Sequence, residues 1–283
     1  MIHLKDINKT YDNGTKLHVL KGVSLDINEG EFVSIMGASG SGKSTLLNIM
    51  GILDNYDSGD YTIDGVEIKN LGENRAADIR NRMIGFIFQS FNLISFKNAM
   101  ENVALPLMYQ GVSRKRRNAL ALEYLDRLGL KDHAHHLPNE LSGGQKRCVA
   151  IAGVLAMQPE ILVLDEPAAG LDPETKNEIF ELLCRIRKER NNAIVLVSHH
   201  MEDVAQFANR VWVMYEGKIA MDGTPEEVYG RVEELEEMHI GIPQITHLTY
   251  SLIQEGLPLP RPAINVADAE EMLVRIFKGE KER

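Results

Sequence analysis

The chain has 283 residues, 44% of them hydrophobic, enough to fill a sizeable core and too many for a disordered chain. With 31 Lys and Arg against 41 Asp and Glu, the formal net charge is −10, which argues against a general nucleic-acid surface and against attraction to anionic lipid. No apolar run approaches the roughly 20 residues that span a bilayer, no basic-then-apolar leader opens the chain, and Cys148 and Cys184 lie far apart, so a cytoplasmic protein with free thiols is expected.

In chain order, residues 1–35 read as strands: Ile2 to Ile7, Val19 to Leu25 interrupted by Gly22, and Phe32 to Met36. They are expected to form a sheet edge that leads into the glycine-rich stretch Gly37-Ala38-Ser39-Gly40-Ser41-Gly42-Lys43-Ser44-Thr45. A helix follows, with Leu46, Leu47, Ile49 and Met50 on its apolar side, then a strand pair around Asp57–Gly65 and a short strand, Ile84 to Phe88, that ends at Gln89. From Asn98 to about His136 the apolar spacing predicts helices on a charged background. Strands and helices then alternate: helix to Met157, strand Ile161–Leu164, helix Pro173–Arg190, strand Ala193–Val197, helix to about Ala208 and strand Val211–Tyr215. Such alternation predicts an α/β fold with a mainly parallel sheet. After Pro225 the composition shifts to an acidic, turn-rich tail that closes on an amphipathic segment, Ala267 to Phe277.

The stretch from Gly37 to Thr45 fits G-x-x-x-x-G-K-[S/T] in the strand–loop–helix setting that pattern requires. Its glycines let backbone N–H groups and the helix N-terminus approach the phosphates of a nucleotide. Lys43 would add a cation there, and the Ser44 hydroxyl would ligate Mg²⁺. The apolar run Ile161–Leu164 closes on Asp165 and Glu166, at the strand end where ligands gather in open α/β sheets. Asp165 suits Mg²⁺, and Glu166 is left to orient or deprotonate an attacking water. In Leu141-Ser142-Gly143-Gly144-Gln145, Ser142 reads as a helix N-cap and the two glycines would admit a second phosphate to the helix N-terminus.

With these three stretches in this order, the sequence resembles the ATP-binding cassette (ABC) ATPases. The resemblance implies a P-loop NTPase with a mainly parallel core sheet, an N-terminal antiparallel β-subdomain, a helical insert over about 77–157 and a C-terminal appendage. It divides the chain into an ATPase domain, 1–225, and a tail, 226–283, used for dimerisation. It implies ATP and Mg²⁺ as cofactors, with Tyr11 stacked on adenine, Gln89 touching both Mg²⁺ and the attacking water, Asp172 in a loop that crosses a dimer interface, and His199 at the γ-phosphate. Leu141 to Gln145 would act on nucleotide held by a second subunit, alike or different. The helical insert would dock a membrane permease on the cytoplasmic face, and no nucleic acid is expected. The competing reading within the family is a soluble member that remodels nucleic acid or ribosomes, but neither a coiled-coil insertion nor a second phosphate loop is present.

The two halves resemble different subfamilies. Up to about Glu140, stretches such as Asn48-Ile49-Met50-Gly51 and Glu101-Asn102-Val103-Ala104-Leu105-Pro106-Leu107 resemble macrolide-export and lipoprotein-release ATPases. From Leu141 on, Gln145-Lys146-Arg147, Ala169-Gly170-Leu171-Asp172-Pro173 and the tail resemble energy-coupling factor ATPases. A junction near Leu141 is the pattern a natural recombinant or an engineered hybrid would leave. Three positions depart from both patterns: Cys148 for Arg, Ala168 for Thr and His200 for an acidic residue. The cluster Asp132-His133-Ala134-His135-His136 offers metal ligands or a solvated helix end, and the lack of a matching partner elsewhere favours the latter.

Overall fold

Alternation along the buried strands decides the layering. In the computed structural model, which describes residues 1–12, 14–69, 71–88 and 92–278, β3 (Phe32–Gly37) turns Phe32 and Met36 into one apolar cluster and Val33 and Ile35 into another. β7 (Ile161–Asp165) and β8 (Ala193–Val197) do the same, with Leu162, Leu164, Ile194 and Leu196 on one side and Val163, Val195 and Val197 on the other. Successive side chains of a strand face opposite ways, so strands apolar throughout must be covered on both faces. Together with β6 (Ile84–Ile87), β9 (Arg210–Tyr215) and β10 (Lys218–Gly223), they form a six-stranded sheet of order β10-β9-β3-β8-β7-β6, parallel except for β10.

A second, antiparallel sheet has the order β2-β1-β4-β5, from β1 (Ile2–Asp12), β2 (Lys16–Ile27), β4 (Ser58–Ile63) and β5 (Val66–Glu67). This is the N-terminal antiparallel subdomain that the resemblance implies; the single sheet edge read over residues 1–35 is corrected, since β1 and β2 belong to this separate sheet and β3 lies in the interior of the other. The physical difference is visible in burial, since β1 and β2 are largely one-sided whereas Phe32–Met36 is buried throughout. Helix α1 (Lys43–Met50) lies between the two sheets, and its Leu46, Leu47, Ile49 and Met50 complete the core they share.

The opposite face of the large sheet is covered by helices. After α2 (Glu73–Met83) come α3 (Ala99–Tyr109), α4 (Arg114–Arg127) and α5 (Gly143–Ala156), then α6 (Pro173–Arg190) and α7 (Met201–Phe207). The span 77–157 is not helical throughout, because β6 falls inside it and pairs with β7; the helices that pack together there are α3, α4 and α5. The tail holds α8 (Pro225–Tyr229), α9 (Val232–Glu237), α10 (Gln244–Gln254) and α11 (Val266–Phe277). Val228, Tyr229, Leu235 and Ile240 pack into the main core, with the Tyr229 hydroxyl donating to the Met201 carbonyl at 3.2 Å. A separate cluster of Leu259, Ala263, Ala269 and Met272, flanked by Ile245 and Leu252, begins only beyond them. The change in composition after Pro225 therefore precedes the change in packing. Among the described residues no helix is long and apolar enough to cross a membrane.

Candidate functional site

The glycine-rich loop leaves β3 through three positions that tolerate little but glycine. Gly37 has φ +153, and a Cβ there would lie 2.3 Å from the Met214 carbonyl oxygen and 2.7 Å from Ser41 Oγ. Gly42, at φ +104, is the N-cap of α1, and its Cβ would meet Leu20 at 2.9 Å. Gly40, at φ +79, faces open space, so its backbone can be approached closely. The loop curls over Lys43, whose Nζ donates to the carbonyls of Gly37 at 2.7 Å and Ala38 at 2.9 Å. Ser39 and Ser44 are exposed and Thr45 is half-buried, whereas Ser41 is buried with its Oγ unpartnered among the described residues.

The carboxyl ends of β7 and β8 close the other wall. The cleft, of about 560 Å³, is lined by Tyr11, Lys43, Ser44, Asp165, Glu166 and His199, among others. Glu166 has left-handed backbone, φ 50, held by its N–H bond to the Val197 carbonyl at 3.0 Å. That turn leaves Glu166 only 8% exposed and sets Oε1 3.8 Å from His199 Nε2. Burial pushes Glu166 above the usual carboxylate range, partly countered by His199. Burial likewise raises Asp165, opposed by Lys43, His199 and Arg147, and it lowers Lys43, opposed by Glu166 and Asp165. A desolvated ammonium facing desolvated carboxylates has room for a ligand that carries both phosphate and a cation. The open glycine, the orphaned Ser41 hydroxyl and the Glu166 Oε1, which has no hydrogen-bond partner among the described residues, fit such a group.

Tyr11 reaches the cleft from β1. Its hydroxyl donates to Asp54 Oδ2 at 2.6 Å, and Lys9 Nζ, which also donates to Asp54 Oδ1 at 2.8 Å, sits 4.8 Å from the ring centroid. Burial alone would raise Asp54, but the hydrogen bonds from Lys9, Tyr11 and the Asn55 amide outweigh it and leave Asp54 below its ordinary value. Gln89 lies outside the described residues.

The Leu141–Gln145 stretch is not part of this cleft. It begins α5: Leu141 is buried, and Ser142 caps the helix by accepting from the Gln145 N–H at 3.2 Å while Gln145 Oε1 accepts from the Ser142 N–H at 2.9 Å. Ser142 and Gly143 are exposed, so the positive end of a 14-residue helix faces solvent. Ser142, Gly144, Gln145 and Asp172 line a second cleft of about 410 Å³ between α4, α5 and α6. Asp172 caps α6 by accepting from the Thr175 N–H at 2.9 Å, which holds its carboxyl below the usual range. Cys148 lines the same cleft, buried, with its thiol pushed up to about 11 by desolvation.

Sequence reasoning gave no role to Arg147. This residue is buried to 3% exposure, donates from Nη1 to the Phe88 carbonyl at 2.7 Å, and its charge reaches both Glu166 and Asp165. It ties α5 to the end of β6 beside the acidic pair. Its neighbours Gln145 and Lys146 are polar, so nothing in the sequence set Arg147 apart as the buried charge.

Comparison with known proteins places this geometry. Residues 20–169 match the family model described as ABC transporter. The energy-coupling factor transporter ATP-binding protein EcfA2 of Caldanaerobacter subterraneus is 38% identical over 284 aligned residues, covering 99% of each chain. The macrolide export ATP-binding/permease protein MacB of Brucella melitensis is 41% identical over 230 residues, covering 81% of this chain and 35% of its own. The solved dimer of the cassette MJ0796 from Methanocaldococcus jannaschii, bound to ADP and Pi, superposes with a TM-score of 0.76 at 41% identity, covering 80% of this chain and 99% of the other. Both subfamilies read in the sequence are thus represented among its relatives, and since EcfA2 matches from end to end, a hybrid origin is not needed to account for the tail. The chain belongs to the ABC transporter family, as an ATPase domain.

Proposed function

We propose that two copies of this chain, or this chain and a similar subunit, close on two ATP molecules and hydrolyse them to drive a membrane permease. The observation that supports this most is the separation of the two phosphate-seeking elements: Lys43, Asp165, Glu166 and His199 surround one cleft, whereas the exposed N-terminus of α5 borders another. Each cleft is half a site, and a second copy supplies the other half. The MJ0796 cassette was solved as a dimer bound to ADP and Pi, which agrees with this arrangement.

In the closed site the loop from Gly37 to Thr45 would cradle the phosphates, with Lys43 turning from the Gly37 and Ala38 carbonyls toward them. Ser44, Asp165 and Gln89 would hold Mg²⁺, which supplies charge stabilisation at the phosphate oxygens. Glu166, with its raised proton affinity, would accept a proton from the attacking water while His199 contacts the γ-phosphate. The partner's Leu141–Gln145 stretch would add the helix N-terminus across from the cradle, and Asp172 would face the same interface. Tyr11 would border the adenine.

The permease would dock on the insert, where Phe86, Phe88, Leu105, Pro106 and Val154 line an apolar groove of about 200 Å³ with Phe96 exposed nearby. Because most of this groove, from Phe86 to Pro106, lies in the part that resembles export ATPases, with Val154 of α5 closing it from the other part, permease choice would follow the export type. The tail, with Leu248, Val266 and Phe277 exposed, would supply further subunit contacts. Replacing Ser142 with Arg tests the reading: nucleotide binding by one chain should persist while hydrolysis disappears. Full hydrolysis by that variant would sink it.

A further inference from the structure

The cluster Asp132–His136 has no part in the site described above. Among the described residues no group of three or more His, Cys, Asp or Glu side chains is placed to hold a metal ion. His135 is exposed, while His133 and His136 are half-buried with ring centroids 5.1 Å apart. Backbone bonds from the Ala99 N–H to the His136 carbonyl and from the Met100 N–H to the Ala134 carbonyl, both 2.9 Å, fasten this segment to the start of α3.

His133 Nε2 lies 3.1 Å from Gln145 Nε2. The Gln145 Oε1 is already taken by the Ser142 N–H, so the amide has one allowed orientation: turned over, its NH₂ would oppose that N–H. The NH₂ therefore donates to His133, whose Nε2 must be a bare acceptor. The single proton of the neutral ring then sits on Nδ1, which is buried without a hydrogen-bond partner among the described residues.

We propose that His133 is a positioning residue for the Leu141–Gln145 stretch. Through Gln145 it holds the reciprocal cap between Ser142 and Gln145, fixing the first turn of α5 and the aim of the Gly143 and Gly144 amides toward a phosphate carried by a second subunit. This rests on the two-chain site proposed above. A neutral hydrogen bond at this point is worth about fivefold per site, so a dimer with two such sites loses about 25-fold in closure when both bonds are absent.

The test uses the full chain with His133→Phe, which keeps a ring against His136 but has no acceptor, and His133→Gln, which carries an oxygen at the reach of Nε2. Nucleotide affinity is read on dilute protein with a fluorescent ATP analogue, ATP-driven association by analytical ultracentrifugation, and folding by thermal melts. His133→Phe should bind the analogue as the parent does and associate roughly 25-fold more weakly, and His133→Gln should recover most of that loss. Gln145→Ala removes the same bond together with the Gln145 bond to the Ser142 N–H and should lose at least as much, with no further loss when combined with His133→Phe. Parent-like association of His133→Phe or of Gln145→Ala, or an additive double variant, overturns the proposal. Histidine ¹⁵N spectra of the parent test it without reference to dimers: Nδ1–H with unprotonated Nε2 is expected, and the opposite tautomer overturns it. A parent that shows the expected tautomer yet never associates with ATP overturns the two-chain reading instead.

Discussion

Glu166→Gln separates the chemistry of the cleft from its stability. The substitution keeps the shape of the side chain and its left-handed backbone, and removes a charge from a position with 8% exposure where Oε1 has no hydrogen-bond partner among the described residues, His199 stands 3.8 Å away and Asp165 is adjacent. Removing a general base typically costs 10²–10⁴-fold, about 2.7–5.4 kcal/mol of barrier, so hydrolysis should fall by at least about 100-fold while ATP binding persists. Stability should move the other way. Because burial raises the folded-state values of Glu166 and Asp165 above their unfolded ones, their ionisation costs stability above the raised values, and that cost disappears as pH falls through them to the ordinary carboxylate range. The nucleotide-free variant should therefore melt higher than the parent in mildly alkaline buffer, with the gap closing on acidification. Phosphate release and thermal melts across pH read both effects. Hydrolysis within about threefold of the parent, or a variant that melts lower at alkaline pH, refutes the reasoning.

Gly37→Ala should abolish nucleotide binding, since its Cβ would stand 2.3 Å from the Met214 carbonyl oxygen; an unchanged ATP affinity would show that the loop rearranges at little cost. Asp54, held below its ordinary value by Lys9, Tyr11 and the Asn55 amide, contributes stability above the unfolded carboxylate value that is lost as pH falls through its depressed one. Asp54→Asn should flatten the parent's loss of stability in that acid window, as read by melts at stepped pH. Asn102→Ala removes an acceptor for the Ile94 N–H at 2.8 Å and donors to the Lys97 and Asn98 carbonyls at 2.8 and 3.0 Å. It should cost about 1–3 kcal/mol by denaturant titration and loosen the rim of the apolar groove. Leu248→Glu, on an exposed face of the tail, should weaken nucleotide-free self-association while leaving the melting temperature of the single chain unchanged.

The sequence carried the parts of this fold whose physics is local. Helix α6 and strand β8 begin and end where spacing predicts, because Asp172 with Pro173 marks the start of one and an unbroken apolar run marks the other. Ser142 caps α5 as its residue type suggests. Local patterning did not show what pairs with what: β1 and β2 read only as strands at a sheet edge, and it was the family resemblance that implied their separate antiparallel sheet, which β4 joins across α1. The short edge strand β10 lacked a distinct pattern, and β6, which did read as a short strand, gave no sign that it pairs with β7. In the candidate site, motif patterns pointed to Lys43, Asp165 and Glu166 and the family resemblance added His199; the four line one cleft. Neither could show that Arg147 is buried beside the acidic pair or that His133 reaches Gln145, because both are contacts across elements.

The central claim, that an ATP site needs two chains, is tested most directly by trapping nucleotide on Glu166→Gln. With ATP and Mg²⁺, rapid gel filtration should recover a species of twice the chain mass that carries one ATP per chain, and adding Ser142→Arg should leave single-chain binding but abolish the trapped dimer. Nucleotide retained equally by the Ser142→Arg double variant, or retained on a species with the mass of one chain, would contradict the account.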